Sequence, residues 1–114
     1  MTIIDKLNEW GADTELGIRR CANNKDLYLR LVKMLNENEG FSKLEETINN
    51  NDLQAAFQAA HGLKGVLANL ELIPLYKPVF AITELLRYET NTDYSDLLKE
   101  IKKGKKELEN ICIE

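Results

Sequence analysis

The stretch AAHGLKGVLANL, residues 59–70, is the starting point for predicting the fold of this chain. It contains the only histidine, His61, in a protein of which 30% of the residues are charged. Across the longer segment 53–70, His61 and Lys64 are the only charged or titratable side chains. A charge-poor segment of this length indicates a helix with extensive contacts, either within the core or with another protein.

Apolar side chains recur in this segment mostly at steps of three and four residues, which is typical of a helix packed in a bundle. We therefore predict a helix over 52–70, with Asp52 as its N-terminal cap. Its predicted buried stripe consists of Leu53, Ala56, Phe57, Ala60, Leu63, Leu67 and Leu70.

The helical period continues outward from this segment in both directions, and no segment alternates like a β-strand. The predicted fold class is therefore all-α. Because short connections make consecutive helices antiparallel neighbours, we predict an up-and-down four-helix bundle. We expect a single domain, 1–114, in which residues 1–38 form short N-terminal covering helices and 39–112 form the bundle, with helices over roughly 40–49, 52–70, 74–88 and 93–112.

Two residues are unusual inside the predicted bundle helices. Gly104 lies within the last helix, where glycine is about 1 kcal/mol less favourable than alanine, so we expect a local packing reason for it. Pro78 removes a backbone donor from the helix predicted over 74–88. That helix must therefore begin near Pro78 or be kinked there.

Composition argues against several classes of function. The net charge is −4, and the lysines at 102–106 have glutamates on both sides, which argues against nucleic acid as a partner. Cys21 and Cys112 fit no metal or redox spacing and favour a reducing compartment. The charged N-terminus is no signal peptide and no run has transmembrane length, so we predict a cytoplasmic protein without a membrane partner.

His61 is predicted to lie outside the core. A helix advances about 100° per residue, which places His61 about 120° from the centre of the apolar stripe. Lys64, Gly65 and Ala68 share its side of the helix, and Gln58 flanks it one turn earlier.

These neighbours suit a phosphate acceptor. Gly62 and Gly65 each cost about 1 kcal/mol within a helix, and a close approach by another protein would offset that cost. A neutral imidazole offers a nucleophilic nitrogen, and Lys64 can neutralise part of the charge of a phosphoryl group. No carboxylate lies within one turn of His61 on this helix and no phosphate-binding loop follows a strand, so a partner must supply the remaining groups.

The motif H-G-L-K-G-V-L-A-N-L at 61–70 resembles that of the histidine-containing phosphotransfer (HPt) domains of phosphorelays. The positions that fit are His61, Leu63, Lys64, Gly65, Ala68, Asn69 and Leu70. The chain differs from the family's usual pattern at Glu71, where many members have glycine, at Ile82-Thr83, where many have Leu-Glu, and at Pro78.

The resemblance implies that His61 is the phosphoacceptor, that Lys64 stabilises the phosphate and that Gly65 gives the partner room. It implies response-regulator receiver domains as partners, with a hybrid histidine kinase as a further candidate. No cofactor is expected in this chain, because Mg²⁺ and its carboxylate ligands would belong to the receiver. The residues expected to dock the partner are Phe57, Gln58, Gly62, Gly65, Ala68 and Asn69.

Two functions remain open at this point. The first is a phosphoryl carrier that has no autonomous kinase or hydrolase site. The second is a non-catalytic helical adaptor that presents the face formed by residues 53–70 to a partner. The change His61→Gln distinguishes them, because it abolishes phosphotransfer under the first hypothesis and leaves partner binding nearly unaffected under the second.

Overall fold

The protein, described here as a computed structural model covering residues 1–113, consists of α-helices joined by short connections. Within those residues there is no β-strand, so the predicted all-α class is confirmed. The helices of the described residues are α1 (Ile3–Trp10), α2 (Thr14–Arg20), α3 (Lys25–Leu35), α4 (Gly40–Asn49), α5 (Leu53–Asn69), α6 (Ile73–Arg87) and α7 (Ser95–Cys112).

Helix α5 lies at the centre of the packing, in contact with α4 and α6, and α6 also packs on α7. Asp52 caps α5 as predicted, since its carboxylate accepts a hydrogen bond from the Ala55 N–H. Leu53 and Phe57, at the start of the predicted stripe, are only half-buried. The rest of the stripe is buried, and it consists of Ala56, Ala60, Leu63, Leu67 and Leu70.

The structure answers the predictions made for Pro78 and Gly104 differently. The prediction that the helix begins near Pro78 is wrong, because α6 begins at Ile73 and Pro78 lies buried inside it. Pro74 lies in the first turn of α6, where a backbone N–H would have no partner within the helix. The missing N–H of proline is therefore tolerated there. The expectation for Gly104 is confirmed, since a Cβ there would come within 2.8 Å of Leu75 Cδ1. Helices α6 and α7 therefore approach each other closely at this glycine.

The N-terminal helices cover the bundle in two places. Helix α1 packs on α7, and Trp10 Nε1 lies 3.4 Å from the carboxylate of Glu107. Helices α2 and α3 reach the end of α5, where the buried Tyr28 hydroxyl donates a hydrogen bond of 2.9 Å to the Leu70 carbonyl. Burial raises the pKa of Tyr28, so the hydroxyl keeps the proton that this hydrogen bond needs.

Gly17 permits the close contact between α2 and the end of α5. A Cβ at this position would collide with the Tyr28 ring and would lie 2.9 Å from the Leu70 carbonyl oxygen. Neither neighbour can move easily, because one is backbone and the other is held by its own hydrogen bond. The position therefore requires glycine for steric reasons.

We predict that Gly17→Ala lowers the free energy of unfolding by about 2 kcal/mol, since overpacking outweighs the better helix propensity of alanine. Gly62→Ala is the matched control, because a Cβ at Gly62 meets no atom within 4 Å. The free energy of unfolding of this control should rise by up to about 1 kcal/mol, because alanine has the better helix propensity. Urea denaturation measures both changes, and equal shifts in the two variants would contradict the close contact at Gly17.

Candidate functional site

His61 lies on the exposed side of α5, outside the core as predicted. Within residues 1–113 its ring makes no hydrogen bond and no ion pair. The imidazole stacks on the ring of Phe57, one turn earlier on α5. The two ring centroids are 5.6 Å apart and the ring planes are inclined by 27°. The imidazole is therefore open to another molecule and is supported by an aromatic ring.

The glycines beside His61 leave open space. Gly62 and Gly65 are both exposed, and a Cβ built on either would meet no atom within 4 Å. Gln58 and Asn69 on the same side of α5 are exposed, and Ala68 is half-buried. The structure thus brings these five predicted docking residues to one surface around His61, and no carboxylate of α5 lies among them.

Lys64 is directed toward α6. Its Nζ lies 5.8 Å from the centroid of the Phe80 ring, a cation–π geometry that contributes roughly 0.5–1 kcal/mol at an exposed site. Phe80 is 43% exposed and stacks on Tyr76, with ring centroids 5.8 Å apart. An aromatic pair on α6 therefore borders the His61 surface and holds its lysine.

A second cation lies near Phe57. Arg87, the last residue of α6, places its guanidinium carbon 5.1 Å from the centroid of the Phe57 ring. The same guanidinium lies 3.5 Å from the carboxylate of Glu84. Phe57 thus contacts both the His61 ring and a guanidinium that is itself paired.

Phe80 and Arg87 were missed when the sequence was interpreted alone. Phe80 lies outside the face of α6 that carries the buried residues Leu75, Val79 and Ile82, so its surface position could have been predicted from the helical period. The sequence could not show that Phe80 lies beside Lys64, because the period of one helix does not reveal which turns of two helices face each other.

The turn after α5 contains Glu71 in the left-handed conformation, with φ 55°. The Glu71 N–H bonds to the Ala68 carbonyl at 3.2 Å and the Leu72 N–H bonds to the Leu67 carbonyl at 3.1 Å. This is the paired hydrogen-bond pattern that usually has glycine at the position of Glu71. The tight turn is therefore present although the chain lacks that glycine.

Arg20 of α2 compensates the charge of Glu71. One nitrogen, Nη1, lies 2.9 Å from Glu71 Oε1 and donates a 2.8 Å hydrogen bond to the Ala68 carbonyl. A cation at the C-terminal end of a helix also interacts favourably with the helix dipole. The negative charge that Glu71 adds next to the His61 surface is thus paired within the protein.

Two further features concern the described part of the chain as a whole. Across residues 1–113, no three or more His, Cys, Asp or Glu side chains are grouped so that they could hold a metal ion. The helices of the same residues include none with the length and apolar character needed to cross a membrane.

In a comparison with known families, the family model for the Hpt domain matches residues 35–111, about two thirds of the chain. The chain belongs to the Hpt domain family. Membership indicates histidine phosphotransfer in phosphorelays as the general function. The matched residues include α4 to α6, all of α7 but its last residue, and His61, whereas α1, α2 and nearly all of α3 precede them. Neither the curated proteins nor the solved structures include a significant match.

We predict that Glu71→Gly is more stable than Glu71→Ala by about 1 kcal/mol. Both variants lose the ion pair with Arg20, so the difference isolates the left-handed backbone, which glycine adopts without strain. Chemical denaturation of the two variants under identical conditions measures it. Equal stability of the two would contradict the left-handed conformation at residue 71.

Proposed function

We propose that His61 accepts a phosphoryl group from the aspartyl phosphate of a response-regulator receiver domain and passes it to another receiver. The observation that supports this most strongly is the exposed His61 ring, which has no hydrogen-bond partner among residues 1–113 and is flanked by two glycines with open space above them. Family membership supports the same general chemistry.

The transfer balances as a displacement at phosphorus. The lone pair of the unprotonated ring nitrogen of His61 forms the N–P bond. The bond between phosphorus and the aspartate oxygen breaks, and its electron pair leaves with the carboxylate. The imidazole then carries a positive charge with its proton on the other nitrogen, and that proton can pass to water. Transfer to the second receiver reverses these steps.

Lys64 and the surrounding surface would assist this transfer. The ammonium of Lys64 can leave the Phe80 ring and offset the charge of the phosphoryl group, because a cation–π contact at an exposed site is weak. Gln58, Gly62, Gly65, Ala68 and Asn69 would form the docking surface. Mg²⁺ and the carboxylates that bind it would belong to the receiver, so this chain would act without its own cofactor.

The bundle arrangement is part of the same proposal. We propose that α4 to α7 form an up-and-down four-helix bundle, which is supported by the packing of α4 on α5, α5 on α6 and α6 on α7. Helices α4 and α7 are also linked, through an ion pair between Glu45 and Lys102. A hybrid histidine kinase as a further partner and a cytoplasmic location stay predictions from the sequence.

The phosphoacceptor is tested by incubating the protein with a phosphorylated receiver domain and Mg²⁺. We expect acid-labile, base-stable phosphate on the wild type and none on His61→Gln, because the chain has one histidine. Circular dichroism should show the same helix content in both, since the His61 side chain is exposed. Label on His61→Gln, or unlabelled wild type with several receivers, would contradict the proposal, and the second result would favour the adaptor hypothesis.

The docking surface is tested by adding bulk at Gly65. We predict that Gly65→Leu raises the receiver concentration for half-maximal transfer by roughly tenfold, because the side chain occupies space that the partner needs. The fold should tolerate it, since that space is empty and leucine favours helices.

The control for added apolar bulk is Lys99→Leu on α7, a helix that packs mainly on α6 and α1. The half-saturating concentration of this control should stay within about twofold of the wild type. Equal effects of Gly65→Leu and Lys99→Leu would mean that the receiver does not approach Gly65.

A further inference from the structure

The orientation of the His61 ring needs a physical cause. Reactive histidines are usually oriented by a hydrogen bond from the second ring nitrogen to a carboxylate or a carbonyl group. Within residues 1–113 neither nitrogen of His61 has such a partner, and the side chain is exposed. An exposed imidazole without a partner exchanges between rotamers, which lowers the fraction of time in which it can attack.

Phe57 is placed to restrict this motion. It precedes His61 by four residues on α5, a spacing that puts the two side chains on neighbouring turns of one face. The rings are stacked, with centroids 5.6 Å apart and planes inclined by 27°. An aromatic contact of this kind is strong enough to favour one rotamer several-fold.

Phe57 is in turn held from α6. Its side chain is half-buried, and the guanidinium carbon of Arg87 lies 5.1 Å from its ring centroid. Arg87 is paired with Glu84 one turn earlier on α6, at 3.5 Å. The contacts therefore continue from Glu84 through Arg87 and Phe57 to His61 and join two helices.

We propose that Phe57 is a positioning residue, whose ring holds the His61 imidazole for attack on the phosphoryl group while Arg87 holds Phe57 in place. This inference rests on the proposed phosphotransfer. It differs from the prediction made from the sequence, in which Phe57 contributes to docking. A positioning residue changes the rate of transfer within the docked complex, whereas a docking residue changes the concentration of receiver that is needed.

The two roles are separated by measuring the maximal rate of transfer and the half-saturating receiver concentration independently. Rapid-quench kinetics with a phosphorylated receiver and Mg²⁺ give both values for the wild type, Phe57→Leu and Phe57→Tyr. The matched control is Phe41→Leu on α4, because Phe41 is also half-buried and also has a cation, Lys105 Nζ, 5.6 Å from its ring centroid.

We expect Phe57→Leu to lower the maximal rate roughly tenfold and to leave the half-saturating concentration within about twofold, since misorientation affects only the bound complex. Phe57→Tyr should retain most of the rate because it keeps the ring. Arg87→Gln should lower the maximal rate by roughly threefold, as Phe57 is then held by packing alone. Phe41→Leu should transfer like the wild type.

A readout independent of phosphotransfer is the NMR spectrum of the His61 ring. In the wild type the ring protons of His61 should show an upfield ring-current shift from Phe57, and the side-chain couplings should indicate one dominant rotamer. Both features should persist in Phe57→Tyr and disappear in Phe57→Leu, while Phe41→Leu leaves them unchanged.

Two results would overturn the inference. One is a Phe57→Leu variant with a wild-type maximal rate, whatever its half-saturating concentration. The other is a His61 ring that is already averaged over rotamers in the wild type. If the wild type accepts no phosphate at all, the proposed function fails, while the NMR comparison still decides whether Phe57 orients the ring. If a variant fails to fold, the Arg87→Gln and Phe57→Tyr pair decides the question.

Discussion

The packing of α5 between α4 and α6 determines the surface around His61. Ala56, Ala60, Leu63 and Leu67 are fully or almost fully buried, and together they fix the rotation of α5 about its own axis. Because a helix has a fixed angle per residue, this rotation also determines which residues face outward. His61 and Gly65 are exposed for this reason, and no local interaction of the imidazole is needed to place it there.

The N-terminal helices fix the other end of the same helix. The carbonyl of Ala68 accepts a hydrogen bond from Arg20, and that of Leu70 accepts one from Tyr28. The Ala68 carbonyl accepts the Arg20 bond in addition to one from the Glu71 N–H, and the Leu70 carbonyl lies past the last turn of α5, where backbone acceptors need partners from outside the helix. Arg20 and Tyr28 lie outside the residues that match the Hpt family, so this part of the support for α5 comes from the chain's own N-terminal segment.

Features that depend on one helix alone were predictable from the sequence. The approximate bounds of α4 and α5 and the exposure of His61 follow from the helical period, and the start of α5 also follows from its cap, Asp52. The open space at Gly65 follows from a glycine on the exposed side of the helix. The sequence could indicate that helices pack closely, as at Gly104, but not which side chains meet across two helices, and the contact of Arg87 with Phe57 is the clearest example. The left-handed Glu71 was also not predictable, because local preference favours glycine there and the ion pair with Arg20 forms only in the folded protein.

Under the proposed function, the single imidazole of the chain carries phosphate as an exposed ring held by its neighbours. Correlation of phosphorus with protons by NMR, after transfer from a phosphorylated receiver, tests this claim directly. We expect a single phosphoramidate resonance that couples to the ring protons of His61. A phosphorus signal that couples to protons of another side chain, or no protein-bound phosphorus at all, would contradict it.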